Sequence, residues 1–184
     1  MRERTIPLER LDEPAFAAFG RVLGTPFPVD PAATAFSHPG SDFWHMHDFE
    51  PGKGGKTELL WVNYRSSSLH LRALEVHWLT EQAIIPLGSG EIVHVVCPTR
   101  EDSSRLPDLA RLRAFRVGGG LGVCMRPGCW HTSLVLAGQT TCLVLTRRST
   151  TRDLVAHLKG ESEALESSTV EISSLGDIEL LVQA

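Results

Sequence analysis

Short stretches in which apolar and polar positions alternate fill the middle of the chain. Residues 73–79 alternate, and residues 91–97 are rich in β-branched side chains and are followed by a proline. Because side chains on a strand point to alternate faces, such stretches predict strands. Glycine and proline turns separate them, a spacing typical of a β-barrel or β-sandwich. Further strands are expected at residues 59–64, 83–87, 112–117, 122–125, 133–136 and 140–145.

Helix signals are few and short. Asp12 can cap a helix that ends before Gly20, and a helical turn or two is expected to open at Pro107. Thr151 is expected to cap a third helix, which Gly160 stops because glycine readily ends a helix. The segment 24–57 is rich in proline, glycine, serine and aromatic residues. It is expected to be irregular or short-stranded and to cover part of a pocket.

The C-terminal part of the chain offers two more strands. Residues 161–168 either extend the last helix or form a polar linker, and residues 169–172 and 178–182 are strand candidates. These strands pair along an edge of the fold or with a second subunit. We predict a single domain over residues 1–184, in which residues 150–184 form a C-terminal extension with a helix and edge strands.

Composition narrows the classes of function. The 184 residues carry a net charge of −4, which argues against nucleic acid as a partner. No apolar run resembles a signal peptide or a membrane span, so we predict a cytoplasmic protein with no membrane partner. The four cysteines lack Cys-x-x-Cys spacing and fit small buried side chains in a reducing compartment. Cys124 has no basic neighbour in the sequence and is not expected to be a nucleophile.

One carboxylate and two imidazoles are the strongest candidates for chemistry. Glu75 and His77 are two positions apart, so on a strand both leave the same face. His131 follows a Pro-Gly turn and can join them in one pocket. Such a cluster can bind a metal ion, transfer protons, or do both. Glu75, His77 and His131 are therefore the candidate catalytic residues and the candidate metal ligands. The alternatives are a solvent-facing Glu75–His77 pair and a His131 ring packed beside Trp130.

The order of these residues resembles the two motifs of the cupin barrel. In cupins the first motif supplies two ligands two residues apart and a carboxylate four or five residues later. The second supplies a histidine after a Pro-Gly turn. Here Glu75 and His77 match the first pair, Glu81 or Gln82 the third position, and His131 the last. The resemblance implies a mainly β fold, namely a cupin-like antiparallel β-barrel (double-stranded β-helix) with a few short helices.

Over roughly residues 6–148 the chain also resembles the ureidoglycolate lyase family. The matching segments occur in the family's order, at residues 15–20, 47–48, 74–77, 82–87, 107–109, 112–115, 122–123 and 130–131. The chain departs from the family's usual residues at four places. Val76 replaces an arginine, Cys124 an asparagine, Thr132-Ser133 a His-Pro pair, and Thr146 an aspartate. These departures change hydrogen bonding, so they affect the implied substrate more than the implied fold.

The resemblance implies cleavage of ureidoglycolate to glyoxylate and urea, an elimination from a carbinolamide. A base takes the hydroxyl proton, the C–N bond breaks, and an acid protonates the departing urea nitrogen. Glu75 with His77 or His131 fills these roles, since a carboxylate and an imidazole together serve acid–base chemistry near neutral pH.

Substrate contacts are expected from neighbouring polar and aromatic residues. Gln82 is expected to bind the ureido group, and His47 and Trp130 are further candidates for the substrate-binding set. The substrate carboxylate needs a cation, for which Arg113 and Arg126 are the main candidates. Arg116 is a third possibility in the same stretch.

No cofactor is certain from the sequence. The sequence leaves open whether a labile divalent metal ion binds at Glu75, His77 and His131, whereas a tightly bound structural metal is not expected. The expected partners are a small-molecule ureido acid and a second copy of the chain in a homodimer. Two other functions stay open: a cupin metalloenzyme of another activity, such as an oxygenase or isomerase, and a non-catalytic cupin that binds small acids.

Overall fold

A computed structural model describes residues 2–66, 68–176 and 178–183 of the chain. Strands dominate these residues. Their helices are α1 (Glu13–Phe16) and α2 (Arg148–Leu158), with short 3-10 turns at Leu109–Arg111 and Ile172–Leu175. The strands are β1 (Arg2–Arg10), β2 (Gly20–Leu23), β3 (Ala35–His38), β4 (Ser41–Trp44), β5 (Thr57–Arg65), β6 (His70–Leu71), β7 (Ala73–His77), β8 (Gln82–Pro86), β9 (Ile92–Pro98), β10 (Arg113–Val117), β11 (Gly122–Met125), β12 (Cys129–Leu134), β13 (Gln139–Arg147), β14 (Ser167–Glu171) and β15 (Ile178–Gln183).

The strands form two large sheets and a hairpin. The eight-stranded sheet has the order β14-β7-β12-β9-β10-β1-β15-β6, and the five-stranded sheet has the order β2-β11-β8-β13-β5. Strands β3 and β4 pair with each other. Neighbouring strands are antiparallel except at β1, which runs parallel to both β10 and β15. The mainly β, barrel-type fold expected from the sequence is confirmed.

The first core lies between the two large sheets and forms the barrel interior. Alternate residues of β13 turn inward, among them Cys142 and Val144. Ile84 of β8 and Val123 of β11 meet Phe115 of β10 from the opposite sheet. This alternation is the physical origin of the period-two pattern, because one face of β13 packs on the core while the other faces outward.

A second core lies on the other face of the eight-stranded sheet. Leu74, Val95, Trp130 and Leu180 belong to it, each from a different strand. The two ends of the sheet meet, since the chain passes from β6 to β7 and the N–H of Ile172 bonds to the Arg72 carbonyl at 2.8 Å. The central strands therefore have both faces buried, which explains why β9 is buried along nearly its whole length.

The C-terminal strands close this second core. Strand β14 pairs with β7, and β15 lies between β1 and β6. Of the two pairings expected from the sequence, the structure shows pairing within the chain, and β15 is an internal strand rather than an edge. Residues 161–168 were expected either to extend the helix or to form a linker. Residues 161–166 do not continue α2 as helix, and residues 167–168 begin β14.

The structure confirms the helix boundaries predicted at Asp12 and Gly160 but not the one at Thr151. The Asp12 side chain caps α1 by accepting a bond from the Ala15 N–H at 2.8 Å. The expected cap at Thr151 is wrong: α2 begins at Arg148, directly after β13, and has no side-chain cap. Gly160 follows α2 with a φ of 73°, a conformation that favours glycine. Among the described residues, no helix is long and apolar enough to cross a membrane.

Candidate active site

Glu75 and His131 face each other inside the barrel on neighbouring strands. They are direct partners across β7 and β12, and His131 Nε2 lies 3.2 Å from Glu75 Oε1. The His77 ring lies 5.2 Å from the His131 ring, measured between ring centres. The His131 side chain is only 3% exposed, whereas that of Glu75 is 37% exposed. The structure thus brings the three predicted residues together, with the carboxylate nearest to solvent.

The hydrogen bonds of His131 direct one nitrogen at Glu75. Its Nδ1 lies 3.0 Å from the backbone carbonyl of Cys129, which can only accept, so Nδ1 carries a hydrogen. In the neutral ring Nε2 then presents a lone pair toward the Glu75 carboxylate. Nε2 is buried and has no well-aligned hydrogen-bond partner in the described residues. Two facing lone pairs repel, so this gap suits a proton, a substrate hydroxyl or a cation.

His77 is held by two side chains. Its Nδ1 lies 3.0 Å from Ser167 Oγ and its Nε2 lies 2.9 Å from the Gln82 amide nitrogen. The Gln82 amide donates to Nε2, and Nδ1–H donates to the serine. Burial, with the nearby His131, lowers the pKa of His77 to about 4 against an opposing effect of Glu75. His77 is therefore neutral at physiological pH, with its acceptor nitrogen already bonded.

The same histidines keep Glu75 ionised. Burial by itself would raise the pKa of Glu75, but the neighbouring His131, in its protonated form, outweighs this effect. His77 and His94 add to this effect, and the resulting pKa of Glu75 is about 2. Glu75 is therefore a carboxylate near neutral pH.

Two residues at the site were not predicted. His94 is fully buried, with its ring 5.8 Å from that of His131. It bonds Ser133 Oγ at 3.0 Å, and burial together with His131 lowers its pKa to about 3. Tyr64 packs against the barrel core, and burial together with the Glu75 carboxylate raises its pKa well above the usual range. Tyr64 is one of the alternate residues of β5 that point inward, so the two-residue periodicity of the strand could have identified it.

Two further polar groups inside the barrel lack partners. Thr146 and Glu58 are opposite each other across β13 and β5. The Thr146 hydroxyl and Glu58 Oε1 are buried, and neither has a hydrogen-bond partner in the described residues. The pairing of β13 with β8 places Thr146 next to Gln82 on the same face. Buried polar atoms without partners are costly, so these two atoms are available to a ligand or to water.

The candidate arginines do not reach the cluster. Arg113 binds Glu9 through its guanidinium and donates to the Ala15 carbonyl at 2.6 Å. Arg126 is exposed and donates to the Ala17 carbonyl at 2.6 Å. The expectation that either holds a substrate carboxylate does not fit these positions, because the Arg113 guanidinium is bonded to Glu9 and Ala15 and Arg126 lies exposed beside Ala17. Arg116, the third possibility, pairs with Glu91 at 3.0 Å on the surface.

Trp130 lies on the wrong face for the substrate-binding role expected of it. It precedes His131 on β12, so the two side chains point to opposite faces of the sheet. Trp130 is buried in the second core and packs edge-to-face on Trp78, with ring centres 5.9 Å apart. The role expected from the sequence is therefore corrected to a packing role.

His47 and Glu81 lie on the outer face of the five-stranded sheet. His47 Nε2 is 2.7 Å from Glu81 Oε2, and Cys124 is adjacent to both. His47 is thus separated by the sheet from the Glu75 cluster and does not join it. Of the two alternatives for the third cupin position, Gln82 faces the cluster and Glu81 does not. Burial and the Glu81 carboxylate raise the pKa of Cys124 to about 12, which agrees with an unreactive thiol.

The barrel cluster also has the composition of a metal site. Donor atoms of Glu75, His77 and His131 all lie within 4.8 Å of one another. Glu75 and His131 have donors that face each other, whereas His77 Nε2 is bonded to Gln82. A metal ion would therefore have two ligands ready, and a third only after Gln82 moves away.

The fold and site define a mainly β, barrel-type protein with a polar cluster inside the barrel. Residues 3–166 match the family model of ureidoglycolate lyase, so the chain belongs to the ureidoglycolate lyase family. A ureidoglycolate lyase of Pseudomonas putida is 29% identical over 167 residues, covering 88% of this chain and 96% of the relative. One of Burkholderia mallei is 28% identical over 149 residues, covering 79% of this chain and 83% of the relative.

The solved structures that the chain matches include two dTDP-4-dehydrorhamnose 3,5-epimerases. The one from Bacillus anthracis has a TM-score of 0.40 and 13% identity, over 62% of this chain and 69% of that chain. The one from Sulfolobus tokodaii has a TM-score of 0.39 and 10% identity, over 81% of both chains.

Proposed function

We propose that this protein is a carbon–nitrogen lyase that cleaves ureidoglycolate to glyoxylate and urea. The observation that carries the proposal is the Glu75–His131 pair inside the barrel of a chain that belongs to the ureidoglycolate lyase family. The reaction must move a proton from the hydroxyl of the substrate to its departing nitrogen. A buried imidazole beside a carboxylate is suited to this transfer.

His131 is the residue that moves the proton in this scheme. Neutral Nε2 accepts the hydroxyl proton while the C–N bond breaks and the C–O bond of the aldehyde forms. The same nitrogen then donates that proton to the leaving urea nitrogen. Glu75 has a pKa of about 2 and is a weak base, so its part is to stabilise the positive charge that His131 carries between the two steps.

His77 and Gln82 serve to orient the substrate. Because His77 stays neutral and bonded to Gln82, it fixes the amide beside the cluster rather than donating a proton itself. Gln82, the Thr146 hydroxyl and Glu58 then form a row of polar groups that suits the donors and acceptors of a ureido group. Tyr64 adds a hydroxyl near Glu75 for the carboxylate end of the substrate.

A labile divalent metal ion remains part of the proposal as an alternative source of positive charge. Glu75 and His131 would hold it, with His77 as third ligand once Gln82 has moved. Such an ion would polarise the oxygens of the substrate when bound. Chelator treatment followed by metal addition distinguishes a metal-assisted reaction from proton transfer alone, because only the metal-assisted reaction loses activity without the ion.

We also propose that the protein works as a homodimer in the cytoplasm. Strand β5 pairs only with β13 among the named strands, and its outward residues Leu59 and Trp61 are 63% and 67% exposed. Exposed apolar side chains on an edge strand favour pairing with a second copy. The four cysteines are buried and unpaired, as suits a reducing compartment. A monomer in light scattering at micromolar concentration would contradict the dimer.

The test of function is the release of urea and glyoxylate from racemic ureidoglycolate by the purified protein. Spontaneous breakdown of the substrate sets the background rate. We expect release well above it, and no loss after chelator treatment if no metal takes part. A folded protein that gives only the background rate with added divalent metals would contradict the lyase. A ligand-induced rise in melting temperature without turnover would then favour the non-catalytic acid-binding alternative.

A further inference from the structure

The outer face of the five-stranded sheet carries a second cluster of potential metal ligands. Cys124 lies on β11, Glu81 directly precedes β8, and His47 belongs to the segment that crosses over the sheet. Their donor atoms all lie within 4.8 Å of one another. Val123 and Met125 face the barrel core, so Cys124 between them points outward. The cluster is therefore distinct from the one that contains Glu75.

Its contacts hold the three side chains in place. His47 Nε2 lies 2.7 Å from Glu81 Oε2, and the backbone N–H of Glu50 donates to the same oxygen at 2.9 Å. Cys124 Sγ lies 3.8 Å from that oxygen as well. The His47 and Glu81 side chains are each 16% exposed, and Cys124 is nearly buried. The cluster is thus sheltered but can be reached from solvent.

The three donors suit an ion of the zinc class. Bonds of about 2.0–2.3 Å around a tetrahedral ion place its ligands roughly 3.3–3.8 Å apart. The distance of 3.8 Å between Cys124 and Glu81 already fits, whereas His47 and Glu81 must separate by roughly 0.6 Å. Thiolate, imidazole and carboxylate are ligands of zinc, and a thiolate disfavours magnesium and calcium.

A cavity adjoins two of the three ligands. It has a volume of about 330 Å³, and His47 and Cys124 line it together with apolar residues such as Leu23 and Phe49. We propose that His47, Glu81 and Cys124 bind a divalent ion of the zinc class, with its fourth position open to this cavity. As the sulfur–metal bond forms, the Cys124 thiol releases its proton to solvent, because a coordinating thiol is deprotonated.

Binding of Co²⁺ to the metal-free protein tests this site without any assay of turnover. A thiolate ligand gives Co²⁺ a charge-transfer absorption in the near ultraviolet, which oxygen and imidazole ligands do not. We expect one equivalent of Co²⁺ to produce this band and added Zn²⁺ to remove it. Cys124→Ser is expected to abolish the band. Glu75→Gln should keep it, because the barrel cluster contains no thiol.

Two more variants complete the experiment. Glu81→Gln is expected to keep the band but to weaken Co²⁺ binding at least about tenfold, since it removes a charged ligand. Cys142→Ser is the matched control, because this thiol faces the barrel core, and it should leave the band unchanged. The proposal is overturned if folded wild-type protein shows no thiolate band at saturating Co²⁺. It is equally overturned if the band persists in Cys124→Ser.

Discussion

Glu75 Oε1 and His131 Nε2 lie 3.2 Å apart across two neighbouring strands, yet they are not aligned as a hydrogen bond. The His131 ring is fixed by its bond to the Cys129 carbonyl, so its free nitrogen has to face the carboxylate. This arrangement leaves a place for one proton or one cation between the two side chains. The backbone pairing of β7 and β12 thereby creates the feature on which the proposed chemistry depends.

Gln82 is expected to contribute more to substrate binding than to the chemical step. In Gln82→Leu, His77 Nε2 loses its donor and the substrate loses an amide contact, and each unpaired buried group costs ~1–3 kcal/mol. We expect KM to rise about tenfold or more with a smaller change in kcat. Steady-state kinetics measure both, with Gln139→Leu at the exposed start of β13 as control. A fall in kcat at constant KM would contradict the orienting role.

Acid should destabilise the protein through its buried histidines. The pKa of His94 is about 3 in the folded protein against an ordinary value of 6.5, so unfolding takes up a proton between these values. The stability contributed by its neutral state is therefore lost as pH falls below about 6.5. His94→Gln is expected to reduce the slope of unfolding free energy against pH by up to ~1.4 kcal/mol per unit.

Urea unfolding at several pH values between 4 and 7 checks this prediction. His77→Gln should reduce the slope in the same direction, because the pKa of His77 is also lowered, to about 4. Equal slopes for wild type and both variants would show that these histidines are not buried in their neutral form.

Trp130 should matter for stability and not for catalysis. It packs in the second core against Trp78, on the face opposite to His131. Trp130→Phe is expected to lower the unfolding free energy by ~1–2 kcal/mol and to leave kcat/KM within about twofold. Tyr64→Phe, inside the barrel, is expected to show the reverse pattern. A large loss of activity in a folded Trp130→Phe protein would show that Trp130 does contribute to substrate binding.

The C-terminal strands should be required for folding. A chain ending at residue 166 lacks β14 and β15, and so uncovers apolar residues of the second core such as Leu74 and Val95. We expect this truncated chain to aggregate or to unfold without a cooperative transition, as seen by circular dichroism during heating. A truncated chain that folds and releases urea would show that the tail is a dispensable extension.

The sequence was sufficient to predict those strands that have one buried face or a strong β-branched run. Strands β5, β7, β9 and β13 were found in this way, and Glu75 and His77 were placed correctly on one face. Strand β1 was missed because its residues are mostly charged and it is stabilised by β10 and β15 from distant parts of the chain. Thr151 is not the helix cap that the sequence predicts, because α2 continues directly from β13 without a side-chain cap.

The sequence predicted only those site residues whose arrangement depends on local spacing along one strand. Trp130 and His131 are adjacent on β12, so their side chains point to opposite faces and only His131 faces the barrel. His94 lies in a strand buried on both faces, where alternation gives no signal. The contact of His47 with Glu81 joins residues 34 positions apart, so no local sequence pattern predicts it.

The most direct measurement of the central claim is the rate of urea release by Glu75→Gln, by His131→Asn and by the double variant. Each single change should lower kcat by ~10²–10⁴ because each disables the same proton transfer. The double variant should be about as slow as the slower single variant, since residues that act as a unit are not additive. Glu91→Gln, which removes an exposed carboxylate, is the control. Near wild-type rates in either single variant, or fully additive losses in the double variant, would contradict a shared role for Glu75 and His131.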